Sequence, residues 1–416
     1  MTTPHDSPVR PAPLSTPTRG ASVLRNAAHG ANDLYWFILP PVLPLILQQF
    51  GLRYATAGAI IAAFLSTIAV ASMLTGRLSD RVHRGRLIGF GFVLASAALF
   101  ASAYMPLLSL VIGFLVLGGV GVSVYHPAAY ASIHDSGQGR GRTYGAFEAS
   151  GSLAILAMLV VQGLLVARVG WRGLIVVGAL PGAFMGVLLL VAPRLSFGDP
   201  PLQNGGVLSP VLGPARGAET ATPARGTPAA SSLLSALFVV GVMLRVLGVN
   251  ALQNFTPTYL VRQVRLDPGV AALDMGFTFV GGILGAVLMG RAADRRGPFP
   301  VFVLSSGLLI VLLPLMGLQM PAPAYPALLV FVGFFNSACF PAQIMILGAL
   351  SGDRGKGSVF GFLMAMTSLM AAASPLLFGL LADAAGLVTA VRACAIPVAA
   401  GWVVTVVVWR RLRVRG

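Results

Sequence analysis

The stretch Gly76–Arg86, GRLSDRVHRGR, is a short basic segment between two long apolar stretches. A degraded copy, GRAADRRG, occupies Gly290–Gly297, 214 positions further along the chain. The same offset relates Gly76 to Gly290, Asp80 to Asp294, Arg81 to Arg295, His126-Pro127-Ala128 to Phe340-Pro341-Ala342, and Arg140-Gly141-Arg142 to Arg354-Gly355-Lys356. An offset held by three separate segments predicts two homologous halves that follow one another in the same order.

The amino-acid composition indicates whether the folded chain is surrounded by water or by a lipid bilayer. Hydrophobic residues make up 56% and charged residues 10% of the 416 positions, too few charges for the surface of a soluble globule of this size. The net charge of +16 comes from basic residues scattered between apolar runs, without the aromatic-studded basic face of a nucleic-acid-binding protein. Cys339 and Cys394 both lie inside apolar stretches, which excludes a disulfide framework and a cysteine metal site. We therefore predict a polytopic membrane protein without metal or cofactor.

Apolar segments of about 20 residues are long enough to cross a bilayer core as helices. Twelve such segments occur, near 26–50, 55–79, 86–105, 107–133, 143–167, 173–193, 233–261, 270–291, 299–318, 324–350, 356–383 and 387–409. We predict an all-α fold with an N-terminal six-helix half at 24–193 and a C-terminal six-helix half at 233–410. A Pro-, Gly-, Ala- and Thr-rich cytoplasmic linker, 194–232, joins the halves, and residues 1–23 and 411–416 form cytoplasmic tails.

The arginines predict the orientation, because Lys and Arg accumulate in cytoplasmic loops. Of the 28 basic residues, 21 lie in the tails, the linker and alternate loops on one side. Arg245 lies within a predicted helix, and six residues lie at the opposite ends, namely Arg53, Arg168, Arg172, Arg262, Arg265 and Arg392. Both termini are predicted to be cytoplasmic in a multi-pass protein of the bacterial inner membrane.

Polar residues within the apolar segments are concentrated on every third helix. Helices 1, 4, 7 and 10 carry most of them, and helix 5 adds Glu148, as nested three-helix repeats that line a path would give. His29 and Asp33 are spaced i,i+4 and share a face of helix 1, and Asp33 and His126 lie at similar depth from the cytoplasmic side. We predict proton coupling at Asp33, His126, Glu148 and His29. A static Asp33–His126 pair that holds helices 1 and 4 together is the alternative.

Substrate binding is predicted for the other polar and aromatic residues of the path: Asn32, Tyr35, Tyr125, Arg245, Asn250, Asn254 and Asn336. Arg245 suits an anionic substrate group or acts as the counter-ion of Asp33. The aromatic residues form apolar walls in this interpretation, and plain core packing is the alternative.

The twelve spans, the repeat and the GRLSDR motif resemble the major facilitator superfamily. His29-Gly-Ala-Asn32-Asp33, Gly118-Gly-Val-Gly121 and Tyr125-His126-Pro127 resemble the fosmidomycin-resistance type of exporter. The resemblance implies a cytoplasmic gate that latches the halves in the outward-open state. We assign to this gate Gly76, Asp80, Arg81, Arg142, Gly290, Asp294 and Arg295, with Asp80 suited to the positive N-terminus of helix 11 near Lys356.

These features predict a secondary active transporter, a monomer whose partners are protons, the bilayer and a small organic molecule. Export is preferred to uptake of an organic acid only on the resemblance. A membrane enzyme with His29, Asp33 and His126 around a metal is the alternative from another class, and a receptor on a transporter scaffold is a third. No G-x-x-x-x-G-K-[ST] sequence occurs, which argues against transport driven directly by ATP.

Overall fold

A computed structural model describes residues 19–79, 81–135, 140–193, 228–350 and 356–413. All regular structure in these ranges is helical, and no strand occurs within them. The helices are α1 (Arg19–Trp36), α2 (Leu43–Phe50), α3 (Tyr54–Ser79), α4 (Arg84–Tyr104), α5 (Leu108–Ser123), α6 (Tyr125–Asp135), α7 (Arg140–Val191), α8 (Pro228–Arg262), α9 (Pro268–Arg296), α10 (Pro298–Leu315), α11 (Ala324–Leu350), α12 (Lys356–Ala385), α13 (Leu387–Ala393) and α14 (Ala395–Arg413).

Ten stretches of the described chain are long and apolar enough to cross a membrane. One of them, 146–191, is 46 residues long, about twice what a single span needs. Gly170, with φ 62° and ψ −175°, interrupts the helical geometry of α7 where the predicted segments 143–167 and 173–193 meet. The chain is a multi-pass integral membrane protein. The predicted linker 194–232 lies mostly outside the described residues, which resume at Pro228.

Two predicted helices are interrupted. The sequence predicted one helix over 26–50, and this prediction is wrong, because α1 ends at Trp36 and α2 begins at Leu43. Pro40 and Pro41 explain the break, since proline has no N–H to donate and disfavours helical geometry in the residue before it. The predicted helix 107–133 is divided into α5 and α6 at Val124. α1 itself begins at Arg19 rather than near residue 26.

The 214-residue repeat has counterparts in the backbone. Gly51 and Arg265 are related by this offset and both have positive φ, 60° and 66°. Arg265 is the non-glycine residue with positive φ in the described ranges, so the turn before α9 keeps a geometry that favours glycine. The offset also relates the first residues of α3 and α9, Tyr54 and Pro268.

Helices of the two halves approach each other backbone to backbone. A methyl group at Gly58 of α3 would collide with the carbonyl group of Pro375 in α12. One at Gly163 of α7 would lie 2.8 Å from the carbonyl oxygen of Gly269 in α9. Small residues permit such approaches within a bilayer, where close packing holds helices together.

Candidate functional site

Asp33 lies between two imidazoles inside the N-terminal half. Asp33 Oδ2 is 3.5 Å from His29 Nε2, and Asp33 Oδ1 is 3.6 Å from His126 Nε2. The Asp33 side chain is 18% exposed, that of His29 is 1% exposed and that of His126 is 26% exposed. α1 supplies His29 and Asp33 one turn apart, and the first turn of α6 supplies His126. The structure thus brings together the three side chains that the spacing and depth of the sequence had paired.

The backbone of α7 determines the tautomer of His29. His29 Nδ1 lies 2.7 Å from the carbonyl oxygen of Phe147, which only accepts hydrogen bonds, so Nδ1 carries a proton. The Phe147 ring also stacks on the imidazole, with centroids 3.6 Å apart. Neutral His29 therefore presents the lone pair of Nε2 to Asp33.

Asn32 gives His126 the opposite tautomer. The amide nitrogen Nδ2 of Asn32, a donor, lies 3.1 Å from His126 Nδ1, which therefore accepts. Neutral His126 then carries its proton on Nε2 and directs it at Asp33 Oδ1. Asn32 is fully buried by this contact, so it orients His126, whereas the sequence predicted that it binds substrate.

Gly151 of α7 leaves the space that Asp33 occupies. A methyl group at this position would collide with Asp33 Oδ2 and would lie 2.9 Å from His29 Cε1. Asp33 is therefore bounded by the two imidazoles and, on the side of α7, by the backbone at Gly151.

Glu148 lies beside this cluster and not in it. Its Oε1 accepts a hydrogen bond of 3.0 Å from the hydroxyl group of Tyr130, and the Tyr130 ring lies 5.7 Å from the ring of His126. Glu148 is solvent-exposed. Tyr130 thus contacts both an exposed carboxylate and the half-buried ring of His126.

Arg245 is buried among amides in the C-terminal half. Its Nη1 donates to Asn336 Oδ1 at 2.6 Å and its Nη2 donates to Gln343 Oε1 at 3.4 Å, while Nε has no acceptor. Within the described residues Arg245 makes no ion pair, and only 6% of the residue is exposed. These contacts do not show it as the counter-ion of Asp33. A guanidinium held by neutral partners keeps its attraction for an anion.

The other predicted binding residues have different surroundings. Tyr35 donates to Ser96 Oγ at 2.7 Å, and Ser96 in turn donates to the carbonyl oxygen of Ala179, so Tyr35 joins α1 to α4 and α7 as a packing residue. Substrate binding by Tyr35 stays a prediction, and in this structure its hydroxyl group is engaged with Ser96. The Tyr125 hydroxyl group donates to the carbonyl oxygen of Arg25, and its ring covers the histidine cluster from one side.

A small pocket opens between α8, α9 and α11 beside Asn336. Asn254 Nδ2 donates to the backbone oxygen of Asn250 at 2.9 Å and lies 3.1 Å from its Oδ1, so these two amides bond each other along α8. The residues lining the pocket are Val249, Leu252, Gln253, Thr256, Met275, Thr278, Phe279, Leu329, Val332 and Asn336. The pocket is mostly apolar, and each of the three helices contributes at least one polar residue to its lining.

The predicted gate residues are only partly described. A methyl group at Gly76 would lie 3.6 Å from Cβ of Pro127, and one at Gly290 would lie 3.9 Å from Cβ of Pro341. Each glycine therefore faces a helix of its own half, at the same offset of 214. Arg81, Asp294 and Arg295 are exposed. Asp80 and the side chain of Arg142 lie outside the part of the chain that the structure describes.

Two acidic residues, Asp274 and Asp383, were not among the site residues predicted from the sequence. Asp274 in α9 is buried, and Asp383 near the end of α12 contacts the start of α3. Each is the only acidic residue of its predicted apolar segment, 270–291 for Asp274 and 356–383 for Asp383, and this isolation was the available signal.

His29, Asp33 and His126 also satisfy the geometry of a metal site, because one ligand atom from each lies within 4.8 Å of the others. Two histidines and a carboxylate are a set that binds transition metals. The geometry alone thus permits either proton sharing or coordination.

Membrane-spanning helices with ionisable side chains buried among them define a transporter of small molecules. The chain belongs to the Major Facilitator Superfamily, whose family model matches residues 27–321 and 238–416. Members of this family transport solutes and are not enzymes, so the metal-enzyme alternative is wrong.

Related sequences agree with this assignment. The chain is 26% identical over 306 residues to YceJ, an uncharacterized MFS-type transporter of Bacillus subtilis, covering 72% of each protein. It is 31% identical over 102 residues to mouse spinster homolog 3, and 23% identical over 159 residues to the niacin transporter NiaP of Acinetobacter baylyi. These two matches span 24% and 38% of this chain, and only 19% and 36% of the relatives.

Solved structures share the fold. A bacterial homolog of the human lysosomal transporter Spinster, in an inward-facing and occupied conformation, has a TM-score of 0.76 at 14% identity, covering 94% of this chain and 96% of that chain. The nucleoside transporter NupG has a TM-score of 0.70 at 12% identity, covering 94% and 99%. At these identities the likeness concerns the fold alone.

Gly151→Ala should lower transport by roughly tenfold, because the added methyl group must displace Asp33 from His29 at a packing cost of about 1–3 kcal/mol. Initial uptake rates in inverted membrane vesicles, normalised to the amount of protein, measure the effect. Gly113→Ala is the matched control, since a methyl group there meets nothing within 4 Å. Equal rates for the two variants would contradict the site.

Proposed function

We propose that this transporter exports a small organic anion from the bacterial cytoplasm in exchange for protons, and that it does so as a monomer by alternating access. The observation that carries the proposal is the placement of Asp33 between histidines of opposite tautomer. Arg245, in the other half, supports the anionic substrate.

In this proposal the chain crosses the membrane twelve times. Three of these spans consist of two consecutive helices each, namely α1 with α2, α5 with α6, and α13 with α14. The long helix α7 forms two spans that meet at Gly170. The spans divide into the halves 24–193 and 233–410, which rock about a site between them. The arginine asymmetry supports a cytoplasmic position for both termini.

The gap between Asp33 and His29 is where a proton binds. Without it, a carboxylate oxygen faces the lone pair of His29 Nε2 at 3.5 Å, and two acceptors repel each other. A single proton in this gap makes a donor of one group and satisfies both. The other oxygen of Asp33 already faces the N–H group of His126, whose Nε2 lies 3.6 Å away, so we assign the proton taken up in each cycle to the gap between Asp33 and His29.

Glu148 and Tyr130 supply a route between this gap and water. Exposed Glu148 exchanges protons with solvent, and its partner Tyr130 contacts the ring of His126. Movement of α1 against α6 changes the access of the gap, which couples the proton to the conformation of the protein.

Substrate charge follows from the surroundings of Arg245. A buried cation held only by amides lacks the full compensation that a charge needs in the membrane. A carboxylate or phosphonate group fits the planar fork of the guanidinium in a bidentate manner and leaves the amides to complete its hydrogen bonds. The mostly apolar pocket lined by Asn336 would have to widen during the transport cycle to take the rest of the molecule.

Suitable probes follow from this chemistry. Nicotinate is a carboxylate, chosen because NiaP is a niacin transporter. Fosmidomycin is a phosphonate, chosen because the helix 1 and helix 4 sequences resemble exporters that give resistance to it. That resemblance is also what favours export, and uptake of an organic acid with protons is the alternative.

Orientation is tested by labelling single cysteines with an impermeant thiol reagent in intact cells. Replacements at Arg265 and Tyr104 should react, because both positions are exposed and lie at the predicted outer ends. Replacements at Arg81 and Arg295 are equally exposed and should react only after the cells are opened. The reverse labelling pattern would show that the protein has the opposite orientation in the membrane.

Asp33→Asn should abolish proton-driven transport, with a loss of more than about tenfold, and should retain exchange of substrate across the membrane. Proteoliposomes with an internal pH dye measure proton and substrate movement together. His126→Gln should shift the pH dependence without removing activity, since the carboxyl group carries the proton.

Asp274→Asn is the matched control for this test, because Asp274 is also a buried aspartate of a membrane helix but lies in the C-terminal half. If proton movement still accompanies substrate movement in Asp33→Asn but is lost in Asp274→Asn, the coupling residue is Asp274 and not Asp33. An Asp33→Asn protein that fails to insert would show instead that Asp33 clamps α1 to α6.

Arg245→Gln should weaken binding of anionic solutes by about tenfold or more and spare neutral ones, because it removes the charge and keeps hydrogen-bonding capacity. Arg245→Lys should restore part of the affinity. Thermal shift of the purified protein with nicotinate, fosmidomycin and the neutral amide nicotinamide measures the difference. Equal loss for the neutral amide would assign Arg245 to packing.

A further inference from the structure

Asp383, near the end of α12, bonds to the beginning of α3 in the other half. Its Oδ1 accepts from the backbone N–H of Tyr54 and its Oδ2 accepts from that of Ala55, both at 2.9 Å. The Nε atom of Arg53 lies 3.4 Å from Oδ2. The Asp383 side chain is 10% exposed and that of Arg53 is 78% exposed. One carboxylate thus caps a helix that lies more than 300 residues away in sequence.

The equivalent helix of the second half is capped differently. The offset of 214 relates Arg53 to Asp267, and Asp267 Oδ1 accepts from the N–H of Gly269 at 2.7 Å within its own turn. Arginine cannot accept a hydrogen bond, so α3 has no cap at this position. The first N–H groups of a helix need acceptors, and α3 receives them from the opposite half.

α3 and α12 are also in direct backbone contact at this end. A methyl group at Gly379 would collide with the carbonyl group of Tyr54, as one at Gly58 would with that of Pro375. These pairs show that the two helices run antiparallel, with the start of α3 against the end of α12. Separation of the halves here must break the contacts of Asp383.

The geometry points to Asp383 as an outer latch, which holds the halves together at the end opposite the predicted cytoplasmic gate. This inference rests on the rocking motion of the proposed function. α3 ends at Ser79 and α12 begins at Lys356, so the sequence-predicted contact of Asp80 concerns the other end of the same helix pair. Each helix would lend a carboxylate to the N-terminus of the other, one when the outer side is closed and one when the inner side is closed.

The latch is strong enough to bias the equilibrium and weak enough to open. Asp383 accepts two charge-assisted hydrogen bonds at the positive end of a helix and pairs with Arg53. On opening, water replaces these partners, because all the groups lie at the membrane surface in the predicted topology. Loss of the carboxylate should therefore raise the ratio of outer-open to outer-closed molecules by about tenfold.

Spin labels at the outer ends of the two halves test the latch. Tyr104→Cys and Leu318→Cys are related by the offset of 214 and both positions are exposed. They are labelled in full-length protein that lacks Cys339 and Cys394, reconstituted in lipid nanodiscs. Distance distributions from pulsed electron resonance require neither substrate nor a proton gradient, so failure of the latch is distinguishable from failure of the proposed coupling.

Asp383→Asn should move the population toward longer distances. Arg53→Asp should do the same, because it supplies α3 with its own cap, as Asp267 does for α9, and repels Asp383. Asp267→Asn is the matched control and should leave the distribution unchanged, since it removes the same charge from a helix cap that lies within one half. Distributions that stay the same in both Asp383→Asn and Arg53→Asp, or that shift equally in Asp267→Asn, would overturn the latch.

Discussion

The cost of placing an ionisable group in a bilayer governs this structure, since each such group must find a partner or a route to water. Within the membrane the chain meets this cost in two ways, since Asp33 lies between two imidazoles and Arg245 lies against two amides. At the predicted membrane surface, Asp383 accepts the free N–H groups of a helix. The partners differ in how completely they compensate the charge, and this difference separates function from packing. A carboxylate that faces a lone pair, or a guanidinium without an anion, is an incomplete pair that a proton or a substrate can complete.

Much of the fold was predictable, because the membrane imposes length and polarity on every span. Composition and hydropathy predicted the membrane-spanning helices, and the structure adds Gly51 and Arg265, two turn positions with positive φ, to the positions related by the predicted repeat. The interruption of the first helix was not predicted, although Pro40 and Pro41 stand in the sequence as its cause. Proline is tolerated in membrane helices when neighbours satisfy the freed carbonyl groups, so its presence alone does not decide whether a helix breaks.

Within the candidate site, the sequence could predict only which side chains share a face of one helix, and not which side chains of different helices meet. The i,i+4 spacing of His29 and Asp33 follows from helix geometry, whereas the roles of Asn32 and Tyr35 depend on how α1 is rotated against its neighbours. Asn32 reaches His126, 94 residues away in sequence, and no local pattern specifies that contact. The role of Asp383 was missed for the same reason, because its isolation in an apolar segment does not identify its partner, and the start of α3 shows only the lack of a capping residue.

The division of charge between the halves constrains how coupling can work. The carboxyl–imidazole cluster lies in the N-terminal half, around Asp33, and Arg245, which forms no ion pair among the described residues, lies in the C-terminal half. Each ion is bound by partners in its own half, so direct competition for one side chain does not have to link them. The link must then be the equilibrium between conformations, to which both sites and any latch between α3 and α12 contribute free energy. On this view the capping of α3 from the other half is as much a part of the transport cycle as the site itself, because it sets how much binding energy is needed to separate the outer ends.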